Sequence, residues 1–344
     1  MENADRLNFG GKTNVQKSIA SVLAIALAAG FSIGAPVPVK AWGKFGHLTI
    51  CDLAYRNLTG TSRAALNDIL QSPRPGITVR GRGRMPDQHY SSFNYACLEE
   101  DEVPRQHPED HFINVGRDVR QIPETCPQGA DCILSGIARD LETLKDRSRP
   151  REERAFALMA LGHWIGDIHQ PLHISFADDK GGNGIDLELV GKCGTSREAK
   201  PDNLHAVWDK CLLDAGLFER VRKRADYKPQ WSRFTITYRA VDTLQANRRL
   251  ADVKAWVATA PVDWANESYR ITLAPETAYC TQVGANCQYS PASLKRTNPK
   301  RVQRIDQAYL AAHQQLASEQ VAKAGFRLAH LLNLALDPAY QGPV

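Results

Sequence analysis

The chain has 344 residues, 24% of them charged and 43% hydrophobic, and a formal net charge of +5. That composition fits a globular protein with a substantial core and excludes a disordered or low-complexity chain. The mild positive charge tolerates a polyanionic partner without specifying one.

In chain order, Lys12 and Lys17 precede an apolar run from Ile19 to Ile33, followed by Val39-Lys-Ala41. Val39 and Ala41 are the small residues that a signal peptidase reads. The expectation is a signal peptide over 1–41, cleaved after Ala41, leaving Trp42 as the N-terminus of a secreted or periplasmic protein. An uncleaved membrane anchor is the alternative. No later segment is apolar enough over a sufficient length to span a bilayer. Residues 42–344 read as one domain.

Helical periodicity predicts helices at about Leu48–Leu58, Arg63–Leu70, Cys132–Lys145, Arg151–Gln170, Leu204–Leu213, Tyr238–Ala260, Pro261–Leu273 and Arg301–Leu334. Ile185–Val190 alternates apolar and polar residues and reads as a strand. Ser72–Pro108, rich in Pro, Gly and Arg, reads as irregular. The fold class expected is mainly α with one small β-hairpin. Eight cysteines in a secreted chain suggest disulfides. Cys126 with Cys132 and Cys280 with Cys287 would close short loops. Cys193 with Cys211 is a further pair, which leaves Cys51 with Cys97 by elimination.

The densest chemistry lies in His163-Trp-Ile-Gly-Asp-Ile-His-Gln-Pro-Leu-His173, inside a segment that otherwise reads as a buried helix. His163 and Asp167 stand at i,i+4 and share a helix face. His169 stands six residues from His163 and faces elsewhere. Pro171 should end or bend the helix. His173 would lie roughly 15 Å from His163 along a straight helix, so it should serve a different ion unless the break folds it back. His205 and Asp209 also share a face. With His173 they form a two-histidine, one-carboxylate set with room for water or substrate. His111-Phe-Ile-Asn114 and the terminal Trp42-Gly-Lys-Phe-Gly-His47 add further candidates.

Together these motifs resemble the secreted zinc-dependent single-strand nucleases, the fungal S-one/P-one type and the plant bifunctional enzymes. These share their fold with bacterial zinc phospholipase C. The order is terminal Trp-Gly with a nearby His, an Asp, His-Phe-Ile, His-x-x-Gly-Asp-x-His-Gln-Pro-Leu-His, Gly-Gly-Asn and Leu-His-x-x-Trp-Asp. The resemblance covers nearly all of the chain from Trp42 onward. It implies three zinc ions. Asp87, His111, His163 and Asp167 would hold the first. Trp42 (amine and carbonyl), His47 and Asp167 would hold its neighbour. His173, His205 and Asp209 would hold the third. Asp110 is the alternative to Asp87.

The implied reaction is hydrolysis of RNA and single-stranded DNA to 5′-mononucleotides, with 3′-nucleotidase activity. Hydroxide on the close zinc pair would attack phosphorus, the third zinc would stabilise the leaving 3′-oxygen, and Asp87 would orient or deprotonate the nucleophile. Phe112 occupies the base-stacking position. Asn114 stands where the family has Asp, and Lys180, before Gly181-Gly-Asn183, stands where the fungal enzymes carry an apolar residue. Base preference therefore cannot be carried over to Phe112, Asn114, Lys180 and Asn183. No protein partner is implied, and a monomer without membrane anchoring is expected.

The remaining candidates have plainer readings. His169 belongs to the core or supports the ligands, His89 and His107 lie in loops, and His313 and His330 pack on late helices. Trp164 and Trp208 fill the core. Arg80-Gly-Arg-Gly-Arg84 either guides phosphate or is a solvated loop. Asn57-Leu-Thr59 and Asn266-Glu-Ser268 are glycosylation sequons. Two other functions fit less well. A zinc phospholipase C typically closes its third set with Glu, where this chain has Asp209, and a purely structural zinc protein would use closed four-coordinate sites.

Overall fold

The structure is a computed structural model that describes residues 42–71, 92–101, 105–194, 201–246, 248–295 and 301–343. The segment 1–41, Asp87, His89 and Arg80–Arg84 lie outside the described residues. Those described fall in one compact unit, Pro38–Val344.

The mainly helical expectation holds. The centre is α5; the helices in chain order are α1 (Gly43–Arg56), α2 (Gly60–Leu70), α3 (Ser92–Ala96), α4 (Ile133–Lys145) and α5 (Arg151–Asp167). Every residue of α5 from Ala155 to Asp167 is buried, so it has no solvent face. Glu152 and Glu153 in its first turn complement the helix dipole. Helices α1 and α4 pack against it, as does α11 (Gln307–Leu336), which begins where the Asp306 carboxylate caps the Tyr309 amide at 3.0 Å.

Between them run α6 (Leu204–Ala206), α7 (Glu219–Arg222), α8 (Arg233–Ala246), α9 (Leu250–Val257) and α10 (Pro261–Leu273). The single helix expected over Tyr238–Ala260 is two, because Arg249 is extended and starts α9. Pro261–Leu273 matches its expected bounds. The segment after α6 is wider than an α-helix. Val207–Cys211 and Asp214–Phe218 are π-helical turns, a form that recurs at functional sites.

Strands are short but more numerous than one hairpin. β1 (Ile113–Val115) pairs in parallel with β2 (Ile174–Phe176). β3 (Ile185–Leu189), the expected strand, pairs in parallel with β7 (Arg301–Ile305), which in turn pairs antiparallel with β6 (Ser293–Lys295). Arg301–Ile305 is therefore strand and not the start of the last helix; its Val302 and Ile305 are buried and its ladder partner comes from far away in sequence. The antiparallel hairpin is β4 (Cys280–Val283) with β5 (Asn286–Tyr289).

All eight cysteines are paired, as Cys51–Cys97, Cys126–Cys132, Cys193–Cys211 and Cys280–Cys287. Among the described residues no helix is long and apolar enough to cross a membrane.

Candidate metal centre

The C-terminal half of α5 carries His163 and Asp167 on one face, and two glycines make that face approachable. A Cβ on Gly162 would meet Cys97 Sγ at 2.3 Å, and one on Gly166 would meet His47 Cε1 and Nδ1 at 2.8 Å. The missing side chains let the Cys51–Cys97 bridge and α1 lie directly on α5. His47 from α1 then stacks on His163, ring centroids 4.1 Å apart and planes 8° from parallel. His111, from the turn before β1, meets His163 edge-on at 4.8 Å.

Asp167 is the common point. Its Oδ1 lies 3.2 Å from His47 Nε2, and its Oδ2 lies 2.9 Å from His111 Nδ1 and 3.4 Å from His163 Nε2. Backbone carbonyls set the histidine tautomers. His163 Nδ1 donates to Cys97 O at 2.7 Å, His173 Nδ1 to His111 O at 2.6 Å, and His205 Nδ1 to Gly181 O at 2.7 Å. Each leaves Nε2 unprotonated, the arrangement in which an imidazole ligates a metal; that of His163 and His173 has no hydrogen-bond partner among the described residues, and that of His205 accepts Gln170 Nε2 at 3.3 Å.

The chain folds back at Pro171. Gln170 is extended, as a residue before proline must be, and its Oε1 accepts the Leu172 amide at 2.6 Å. His173 thereby returns to the site, its Nδ1 3.7 Å from Asp167 Oδ2. Its ring lies 4.8 Å from that of His205, whose Nε2 is 3.5 Å from Asp209 Oδ1. Gln170 Nε2 donates to Asp209 Oδ1 at 2.6 Å.

Ligand-capable atoms within 4.8 Å of one another form three buried groups: His47, His163 and Asp167; Asp101, His111 and His163; and His173, His205 and Asp209. Nε2 of His47, His111, His163 and His173 and Oδ1 of Asp167 are buried without a hydrogen-bond partner among the described residues. Buried polar atoms are ordinarily satisfied, so a cluster of bare imidazole nitrogens around a carboxylate fits a bound cation.

Asp101 is a ligand-capable carboxylate that sequence reasoning did not single out. Asp87 lies outside the described residues, and Asp110 is committed elsewhere, in a 2.7 Å ion pair with Arg139. Asp101 Oδ1 lies 3.9 Å from His163 Nε2. Its available signal was position: it follows Cys97 by four residues, and Cys97 is fastened to α1 beside His47. Arg105 was also missed. Its Nη2 donates to Asp101 Oδ1 at 2.7 Å, and its charge acts on His47, His111, Asp167, His173 and His205.

Burial, more than Arg105, dominates the electrostatics. It pushes His47 and His205 down to about 4, His163 below the usual imidazole range, and His111 and His173 well below it. It pushes the Asp167 and Asp209 carboxyls well above the usual range. Anionic carboxylates here need a positive charge to face, and neutral imidazoles are ready to bind one.

The other expected site residues are at hand in different states. Trp42 is fully buried at the start of α1, its carbonyl accepting the Gly46 amide at 3.0 Å. Phe112 is half-buried and extended. Asn114 lies on β1, its Oδ1 buried without a partner among the described residues. Lys180 is exposed with φ +55°, and Asn183 turns its amide back to Lys180 O at 2.7 Å.

His169 joins no metal group. Its Nδ1 donates to Ile165 O at 2.7 Å and its Nε2 accepts from the fully buried Arg327 at 2.8 Å. His313 and His330 pack against Tyr309 and Tyr340, and Trp164 and Trp208 are core. Of the two sequons, Asn266 is buried and clamps the backbone of Ile122.

The S1/P1 Nuclease family model matches residues 42–337, from the first buried tryptophan to the end of α11. The chain belongs to the S1/P1 nuclease family. Endonuclease 4 of Arabidopsis thaliana is 24% identical over 299 residues, which cover 85% of this chain and 88% of that protein. Endonuclease 1 of the same plant is 29% identical over 192 residues, covering 55% of this chain and 59% of that protein. Nuclease P1 of Penicillium citrinum is 22% identical over 302 residues, covering 85% of this chain and 97% of that protein. Two of these three alignments run nearly end to end, so this S1/P1 nuclease chain shares the family's whole architecture and not one motif of it.

Proposed function

We propose that the chain is a secreted zinc-dependent nuclease that hydrolyses RNA and single-stranded DNA to 5′-mononucleotides and removes 3′-phosphates from nucleotides. The observation that carries this reading is the set of orphaned, buried imidazole nitrogens around Asp167, inside a chain of the S1/P1 nuclease family. Four disulfides support an oxidising compartment, as does the expected cleavage after Ala41. We propose a monomer.

The residues present fit three ions. Asp87, His111, His163 and Asp167 would hold the first, with Asp101 a further carboxylate beside His111 and His163. Trp42, His47 and Asp167 would hold the second, and His173, His205 and Asp209 the third. Zinc there would supply Lewis-acid activation of water and charge neutralisation at phosphate. Asp101 would orient the attacking water and accept its proton. Arg105 sits beside Asp101 and would face the charge that develops on the phosphate oxygens. Phe112 would stack an unpaired base, worth about 1–3 kcal/mol, which a duplex withholds. Lys180 and Asn183 would meet the nucleotide on the side of the third set.

The deciding experiment uses protein beginning at Trp42, with metal content measured by mass spectrometry. It is assayed on single-stranded DNA, RNA, a 3′-nucleotide and phosphatidylcholine, with and without chelator. Close to three zinc ions and chelator-sensitive hydrolysis of the first three substrates are expected. A single ion per chain, or turnover of phosphatidylcholine alone, would overturn the reading. One extra residue before Trp42 should abolish the second set and most activity, and full activity in that variant would remove Trp42 from it.

A further inference from the structure

The turn that follows β2 is held more tightly than its sequence suggests, and what it holds is a histidine of the third metal set. Lys180, Gly181 and Gly182 are three consecutive residues in the left-handed region, with φ of +55°, +64° and +82°. A lysine there costs about 1–2 kcal/mol, so the surroundings must impose the turn. The group that imposes it is Asp179, which is 5% exposed. Its Oδ1 accepts the Gly182 amide at 2.9 Å and the hydroxyl of fully buried Tyr279. Its Oδ2 accepts Arg117 Nη2 at 2.7 Å, and its backbone carbonyl accepts the Gly184 amide at 2.8 Å.

The partners of Asp179 are themselves fixed. Tyr279 leads directly into the hairpin β4–β5, which the Cys280–Cys287 bridge closes. The Arg117 guanidinium lies 3.7 Å from the ring centre of Tyr289 and 4.3 Å from that of Phe176. The carbonyl of Arg117 accepts the Cys287 amide at 2.7 Å.

The output of this arrangement is one carbonyl. Gly181 O accepts His205 Nδ1–H at 2.7 Å, and Gly181 is wedged so closely that a Cβ would meet Leu172 O at 2.3 Å. We infer that Asp179 is a positioning residue of the third metal set. By fixing the turn 179–184 it holds the Gly181 carbonyl against His205, which sets the tautomer and ring angle that present His205 Nε2 to the ion. The inference rests on the three-ion reading above and extends it to a residue outside the ligand sets. Groups that orient a metal-bound histidine typically change metal affinity about 10- to 100-fold.

Asp178 provides the internal control. It also pairs with Arg117, Nε to Oδ2 at 2.7 Å, and accepts the Tyr289 hydroxyl at 3.0 Å, yet its side chain is half exposed and bonds to no amide of the turn. A role confined to holding the Arg117 stack would make the two aspartates equivalent. A role in the turn makes only Asp179 matter.

The test compares wild type, Asp179→Asn, Tyr279→Phe and Asp178→Asn, each loaded with zinc and titrated with a competing chelator. Asp179→Asn should release one of three ions at about tenfold lower chelator concentration, with the other two unmoved. Tyr279→Phe should show a smaller shift of the same ion, and Asp178→Asn none. In cobalt-substituted protein, the exchangeable hyperfine-shifted N–H proton of His205 should exchange faster in Asp179→Asn than in wild type. Equal third-ion affinity in wild type and Asp179→Asn would overturn the inference, as would equal shifts for Asp178→Asn and Asp179→Asn. If Asp179→Asn does not fold, an unchanged third ion in Tyr279→Phe overturns it. Wild type without an ion at His173, His205 and Asp209 would instead remove the three-ion reading itself.

Discussion

His173 Nδ1 stands 3.7 Å from Asp167 Oδ2, although the two residues are separated by the end of α5 and a proline. A straight helix would carry them about 9 Å apart along its axis. The fold-back at Gln170-Pro171 makes one continuous stretch of chain serve two neighbouring sets. It leaves His173 Nδ1 donating to His111 O and its Nε2 without a hydrogen-bond partner among the described residues, in a group with His205 and Asp209.

Asp101 and Asp167 should be separable by mutation. Asp101→Asn keeps the shape but removes the proposed proton acceptor, and a fall in kcat of at least about 100-fold is expected. Asp167→Asn should be worse and should lower the zinc count, because Asp167 faces His47, His111 and His163 together. Initial rates with metal analysis check both. Near-normal kcat in Asp101→Asn would return the role to another carboxylate.

Arg105→Met preserves the apolar stem and removes the charge. Loss of a charged hydrogen bond of about 1.5–3 kcal/mol predicts a fall in kcat/KM of roughly 10- to 100-fold on single-stranded substrate, with zinc content unchanged. A variant with wild-type kcat/KM would confine Arg105 to pairing with Asp101.

Gly166→Ala tests the close approach of α1 and α5. The added Cβ would lie 2.8 Å from two atoms of the His47 ring, which is hemmed in by the His163 ring stacked on it. Overpacking of this kind costs about 1–3 kcal/mol and should also weaken the second ion. Calorimetry and zinc stoichiometry are the readouts, and unchanged values in both would show that α1 yields freely.

His169→Ala should behave as a stability mutation. It strips Ile165 O of a donor and Arg327 of an acceptor in a fully buried setting, at a cost of about 1–3 kcal/mol. Zinc content should stay at the wild-type value. Loss of an ion would place His169 among the ligands after all.

In the metal-free protein the buried histidines should cost stability on acidification, opposed by Asp167 and Asp209, whose raised carboxyls take up protons first in the folded chain. Burial lowers His47 and His205 to about 4 in the folded chain from 6.5 when exposed. At these two rings the unfolded chain therefore binds protons first. The stabilising contribution of the neutral rings is complete above pH 6.5 and is lost as pH falls toward 4. Melting temperatures of chelator-treated wild type and His205→Gln across pH 7.5 to 4.5 check this: wild type should lose stability relative to the variant toward acid, and a constant difference between the two would contradict it.

Much of this protein was legible in its residues. The i,i+4 pairs His163/Asp167 and His205/Asp209 follow from helix pitch alone, as does the dismissal of His169. The bend at Pro171 follows from a missing amide hydrogen, and the pairing of eight cysteines from their spacing and elimination. Such features are local: they depend on periodicity and covalent geometry within a few residues.

The tertiary structure decided whatever depends on distant neighbours. Arg301–Ile305 reads helical by itself and becomes strand because β3 supplies its ladder. Asp101 has no motif of its own, and the Cys51–Cys97 bridge, the bond from His163 Nδ1 to Cys97 O and the packing of the Glu99–Asp101 turn on α5 bring it to His163. Asp179 looks like one of two equivalent acids beside Lys180, and only burial against Tyr279 and Arg117 distinguishes it from Asp178. A carboxylate's chemistry is the same everywhere in the sequence, but its effect depends on the donors and the dielectric around it, and long-range packing alone sets those.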